Sequence, residues 1–466
     1  MPFVDLFSSD DYASIFYRTS SPYGNVSGFD ADKPTILILH PMFLDTAWLD
    51  CQFGDPRLYM HYNLIAFDMR SVGGSTCRPS GRHDSWVDAA DIALCHQKLH
   101  LPPCHVFALE GLAVFCALRF ALLFPEMCLS LALCNVPAPT EPKWTGSSIT
   151  EFMHAWCYAE DLERLEHAAT ESIRFFFGPN LDVDLKDELV AHLQKTRPPV
   201  KRPWTAETIS VLVNRTPLDA EAYAEITQPV LILHGERSEL CARKYSETLA
   251  AQLTNAKDGA VIYTVRGAGA FLSIIPGSAS IVNQTLTKFL SRVPRSRSDI
   301  VPPETSILDR MTQALDRQAK LIGKKNPSTS LDPLSSLSFS CVSKQIADAQ
   351  SDMIAEYTVD RLNAFNPLGP DGRPLRKMSL NRDDHWFEIS KGGISVADTT
   401  KFLPNESSNT KKELEKTTRA GDAPQQLIKP SSLTSAAMEK YIIKGPMAKV
   451  IREPSLGPPG MGRMLT

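Results

Sequence analysis

Short apolar, partly β-branched runs recur through the first two thirds of this chain, and helical patterns fall between them. The runs are Thr35–Leu39, Tyr62–Phe67, His105–Leu109, Leu129–Cys134, Val230–Leu233 and Val261–Val265. The helical patterns include Asp88–Leu99, Val114–Phe124, Arg243–Leu253 and Ser280–Leu290. Strands that alternate with helices predict the α/β class, with a mostly parallel sheet flanked by helices on both faces. Runs that are apolar at every position, not every second one, fit strands buried on both sides.

The alternation stops between about 138 and 228. There Trp156, Leu162, Leu165, Phe175, Leu189, Leu193 and Leu212 follow helical spacing. A helical insertion between two strands of one sheet is expected to sit as a cap over their C-terminal ends, where open α/β sheets bind ligands. Composition changes at Pro294, and SRVPRSRSDIVPPET reads as a linker. Beyond it, Ser306–Ile322 and Lys344–Phe365 read as amphipathic helices, and His385–Ala397 as a hairpin turning at Gly392–Gly393. The Lys- and Ser-rich stretch 404–430 reads as disordered. The expected division is a domain over 1–293, with its cap at about 138–228, and a largely disordered C-terminal extension over 294–466.

A formal net charge of −4 on 466 residues gives no basic footprint for nucleic acid. No apolar run reaches the ~18 residues of a membrane span. The N-terminal MPFVDLFSSDDYASIFY has no basic segment leading into an apolar one, so no secretory signal is expected. The ten cysteines are scattered, without CxxC or metal-ligand spacing, and Cys95, Cys116, Cys128 and Cys134 lie in apolar segments. Buried thiols in a reducing cytoplasm are the expectation, with no metal and no cofactor. Asp383, Asp384, His385 and Glu388 have ligand chemistry, but neighbours on one hairpin rarely converge on an ion.

Five stretches, in order, resemble the α/β-hydrolase superfamily over roughly residues 1–293. PTILILHPMFLDTAW resembles its HG oxyanion loop, and NLIAFDMRSVGGST its D-x-R-G-x-G-x-S turn. CHVFALEGLAVFCALRFALLFPE resembles the nucleophile elbow with its helix. QPVLILHGERSEL and VRGAGAFLSIIP resemble the loops that deliver the triad acid and the triad histidine. The resemblance implies the α/β-hydrolase fold, a helical cap and hydrolysis of esters, amides or lactones. That chemistry needs a nucleophile, a histidine to move its proton and an acid to orient the histidine.

The sequence departs from this pattern at all three positions. Ser238 stands at the acid position, with Glu239 beside it, and Ala270 at the histidine position. Counting forward from the strand puts Glu110 at the elbow, and counting back along the helix puts Gly111 there. Neither register offers a hydroxyl or thiol. Relatives with an elbow carboxylate use aspartate and then need the histidine that Ala270 removes. Glu110 could instead be a buried acid or base of raised pKa, or a cap on the following helix. Pro41 removes one amide from the oxyanion loop, while the usual donor at Met42 remains, so a carbonyl or carboxylate could still be bound without being attacked.

The other candidates divide in the same way between chemistry and structure. His40 either lines the pocket or makes structural hydrogen bonds. His83 is the nearest stand-in for the missing histidine. Asp68 is expected to order its turn, with Arg70 as a partner, and Ser75 to be structural. Asn135 follows the strand after which some relatives place an alternative acid. Met42, Phe43, Trp48, Trp156, Phe175 and Phe271 are expected around an apolar pocket. The leading expectation is a non-catalytic member of the fold that binds a small apolar molecule or a protein beneath the cap. The alternative is an active hydrolase of small esters or lactones working through Glu110, with His83 or Glu239 assisting. A third reading makes the tail the element that binds a partner or a second copy.

Overall fold

The computed structural model describes residues 2–179, 181–323 and 331–376. The hairpin expected at His385–Ala397, the candidate metal residues within it and the 404–430 stretch lie outside these. Nine strands form one sheet: β1 (Phe3–Phe7), β2 (Tyr12–Thr19), β3 (Thr35–Leu39), β4 (Asn63–Phe67), β5 (Thr76–Cys77), β6 (Cys104–Leu109), β7 (Cys128–Cys134), β8 (Val230–Gly235) and β9 (Val261–Val265). Their order is β1-β2-β4-β3-β6-β7-β8-β9, with β5 on β2. The strands from β4 to β9 along this order run parallel, and β1, β2 and β5 pair antiparallel.

Side chains of a strand point alternately to the two faces of its sheet. In β3, Leu37 and Leu39 enter one core with the elbow helix Leu112–Leu123 and the helix Ser85–Lys98. Ile36 and Ile38 enter the other core, with Val282 and Leu286 of the helix Pro276–Leu290. The runs that form β3, β4, β6, β7 and β8 are strands covered on both sides, whereas β9, at the sheet edge, leaves Val261 and Tyr263 exposed.

Between β7 and β8 lie four long helices, Lys143–Cys157, Leu162–Phe177, Val183–Thr196 and Arg202–Val213, and the short Ala220–Ala224. They meet the loops that follow the parallel strands. Phe176 packs on Phe43 after β3, with ring centroids 4.6 Å apart. Glu207 accepts from Ser71 Oγ, after β4, at 2.6 Å. Phe177 stacks on Phe271, after β9, at 3.8 Å.

The compact unit runs past the expected boundary at 293 to Leu375. The helices at Ile307–Leu321 and Lys344–Thr358 match the sequence reading, but both turn their apolar faces to the same chain. Met311, Ala314 and Leu315 are buried in the core that holds the elbow helix. Arg317 Nη1 donates to the Leu123 carbonyl at 2.7 Å, and Gln318 Nε2 to that of Phe339 at 2.6 Å. Further along, Arg202 of the helical insertion donates to the carbonyls of Tyr357 and Val359. Tyr357 also packs edge-on against Tyr158 of the insertion, with ring centroids 5.2 Å apart.

Candidate functional site

The turn after β6 holds two successive residues with left-handed backbone, Glu110 at φ 44° and Gly111 at φ 70°. Gly111, with ψ −129°, is the residue from which the helix starts, and Leu112 is the first helical residue. The sharper of the two corners, at ψ −129°, thus falls on the residue type that occupies it almost without cost, while Glu110 carries the milder one. A Cβ placed on Gly111 would lie 2.7 Å from Met42 Cβ, so Met42 covers the place where a side chain would project.

Glu110 points the other way. Its Oε1 accepts from the amides of Leu272 at 2.8 Å and Ser273 at 3.0 Å, and its Oε2 accepts from Ser273 Oγ at 2.7 Å. Burial pushes its pKa up to about 7, against the opposing pull of those three donors. The carboxyl does not cap the elbow helix, whose start has no side-chain cap. It joins the elbow to the segment after Ala270.

Asn135 makes the second such link. Its Oδ1 accepts from the Gly235 amide at 2.7 Å, and its Nδ2 donates to the carbonyls of Gly269 and Ala270. Ser238 Oγ accepts from the Cys241 amide at 3.3 Å, closing a turn. Glu239 is exposed. The loops that carry Glu110, Ser238 and Ala270 therefore do converge, held by an amide and a carboxyl instead of a triad.

His40 is fixed at both nitrogens, with Nδ1 at 2.9 Å from the Pro41 carbonyl and Nε2 accepting from the Met69 amide at 2.9 Å. Asp68 accepts from the amides of Thr46 and Gly74, and Ser75 Oγ donates to its carbonyl. Arg70 is not the partner of Asp68. Its guanidinium is buried between Asp11 and Asp91, at 2.7 and 2.8 Å. His83 adjoins this cluster, its Nε2 2.8 Å from Asp88 Oδ1. Burial alone would lower its pKa, but Asp88 and Glu207 outweigh that and hold it at about 9. A ring already protonated at neutral pH is a poor general base.

No protein-family model and no curated protein matches the sequence. Solved structures do match. A hydrolase from Pseudomonas aeruginosa PA01 superposes with a TM-score of 0.50 at 20% identity, over 62% of this chain and 98% of its own. The enol-lactonase of Burkholderia xenovorans LB400 and an esterase from Exiguobacterium antarcticum each give 0.50 at 15% identity, over 62% of this chain and 100% of theirs. The chain has the α/β-hydrolase fold.

On this fold, the helical insertion forms one wall of an apolar pocket that is partly open to solvent. Phe43, Phe152, Trp156, Phe176, Leu189 and Arg197 are among its walls. Of the residues expected around a pocket, Phe43 and Trp156 line it. Phe271 backs Phe177, Phe175 packs on Phe152, and Trp48 packs edge-on against His192. Met42 borders a smaller space with His40, His83 and Leu112. Phe152, Phe176 and Arg197 were missed. The run Phe175–Phe177 signalled Phe176, because three aromatics in a row on an amphipathic helix exceed what one core face uses; nothing local singled out Phe152. Arg197, in the turn TRPPVK, reads as a surface cation.

Among the described residues, no group of three His, Cys, Asp or Glu side chains could hold a metal ion, and no helix is long and apolar enough to cross a membrane.

Proposed function

We propose that this protein is a non-catalytic member of the α/β-hydrolase fold that holds a small, largely apolar molecule beneath its helical cap. The observation that carries this reading is Gly111 at the corner of the elbow with Met42 lying over it. Hydrolysis by attack at this corner needs a nucleophile, and a serine side chain here would collide with the oxyanion loop. Ser238 and Ala270 supply neither an acid nor a proton carrier. The apolar pocket remains, and its lining of aromatic and aliphatic side chains with a few polar groups is that of small-molecule sites in general. Ten cysteines, none of them in a disulfide among the described residues, support a reducing compartment, the cytoplasm, as its location.

The alternative, an esterase or lactonase acting through Glu110, draws on the carboxyl pKa near 7. Against it, both carboxyl oxygens are already bonded to Leu272 and Ser273. The deciding experiment is hydrolysis of p-nitrophenyl acetate by wild type and Glu110→Gln. The expected result is that neither exceeds buffer, while apolar ligands raise the thermal midpoint. A saturable wild-type rate that collapses in Glu110→Gln would make this an enzyme with a new constellation.

A further inference from the structure

Arg197 is an anomaly in the apolar cavity. It is 6% exposed, and among the described residues no carboxylate lies within ion-pair distance of it. Its Nη1 reaches Thr208 Oγ1 at 3.3 Å, and its Nη2 has no partner. The nearby acid, Asp45, is already engaged by the Ala47 amide at 2.9 Å and lies 3.6 Å from His192. Thr205, 8% exposed, also has a hydroxyl without a partner. Buried cations and hydroxyls are ordinarily paired, because an unsatisfied buried group carries its full desolvation penalty.

These two residues share a second property. Arg197 and Thr205 line the apolar cavity, and they also line a more polar space bounded by Ser71, Thr76 and Lys201. The unpaired donors therefore stand at the junction of a greasy chamber and a polar one, with a second cation, Lys201, on the polar side. Burial lowers the Arg197 pKa to about 10, so the guanidinium is still charged at neutral pH.

We infer that the ligand is an amphipathic monocarboxylate, its carboxylate held by Arg197 and Thr205 and its hydrocarbon among Phe43, Phe152, Trp156 and Phe176. An arginine fork matches a carboxylate in geometry and charge, and Thr205 Oγ can add a third donor. A neutral molecule of the same shape would leave the guanidinium with no counter-charge beyond the Phe43 ring it lies over, 5.8 Å from its centroid. This inference rests on the reading of the cavity as a binding site.

The test is calorimetric titration of the full chain with decanoate and with 1-decanol, both below their aggregation limits, repeated on Arg197→Met and Thr205→Val. Wild type is expected to bind decanoate about tenfold or more tightly than decanol. Arg197→Met should erase that preference while keeping decanol binding, and Thr205→Val should reduce it. Equal wild-type affinity for acid and alcohol overturns the carboxylate assignment and leaves the apolar site standing. Binding of neither probe to folded wild type removes the site itself. Should Arg197→Met not fold, the wild-type ratio and Thr205→Val still decide.

Discussion

Burying Glu110 makes the stability of this protein depend on pH in a predictable direction. Its folded pKa lies near 7, above the ordinary 4.5, because burial penalises the charged form. Across that interval the folded state keeps a proton that the unfolded chain releases. Its contribution is thus fully present below pH 4.5 and is lost as pH rises through 7. A gap of this size corresponds to at most about 3 kcal/mol. Glutamine in its place can keep all three bonds, accepting from Leu272 and Ser273 amides and donating to Ser273 Oγ, without the titration. Urea unfolding of wild type and Glu110→Gln at pH 5 and pH 8 should show wild type losing about 2–3 kcal/mol relative to the variant. Parallel behaviour of the two would mean that this carboxyl does not titrate in the folded state. The sequence identified Glu110 and Gly111 as the pair at the corner and Asp68 and Ser75 as ordering their turn, and left His40 open between pocket and structure. It did not tell which of the pair faces the pocket, because the register depends on where the helix starts. Nor did it show that Glu110 reaches a loop more than 160 residues away, since nothing local encodes such a bond.

Among elements, the junction of β7, β8 and the loop after β9 depends on Asn135, which is fully buried at φ 47°. Its side chain accepts from one element and donates to another, which neither a hydrophobe nor a carboxylate can do. Asn135→Ala leaves the Gly235 amide and the Gly269 and Ala270 carbonyls without that partner, and should cost about 2–4 kcal/mol in denaturant unfolding. Asn135→Asp should be worse near neutral pH, because a carboxylate would face two carbonyl oxygens, and should recover as acid protonates it. An Asp variant as stable as wild type at pH 7 would contradict this geometry. The six parallel strands were legible because each is a short run rich in apolar and β-branched residues bounded by turn residues. Strands β1, β2 and β5 were not. They alternate or are very short, as in Phe3–Phe7, where only Val4 and Leu6 are buried. Such strands are fixed by the neighbours they pair with, not by their own composition.

At the scale of the whole molecule, the elbow helix carries a clue about the extension. Its sequence, LAVFCALRFALL, is apolar nearly all round, and every residue from Ala113 to Leu123 is buried. A helix on one face of a sheet normally keeps a polar outer stripe, so one without it must be covered on that side too. The cover is the segment after Val293, with Met311, Leu315 and Phe339 all 2% exposed or less. The sequence reads this segment as a linker followed by amphipathic helices that would bind a partner or a second copy, because nothing local shows that their apolar faces meet the elbow helix of the same chain. Burial of three such side chains contributes about 5–9 kcal/mol, comparable with the net stability of a whole domain. The same segment then runs on to the helical insertion, where Arg202 and Tyr357 lock it in place. A chain ending at Val293 should fail to unfold cooperatively, or do so at a much lower midpoint, with the elbow helix open to an apolar dye. Retention of the full midpoint by the 1–293 chain would show that the α/β body is complete without its strap. In that case the polar composition of the segment, not its burial, would describe what it does.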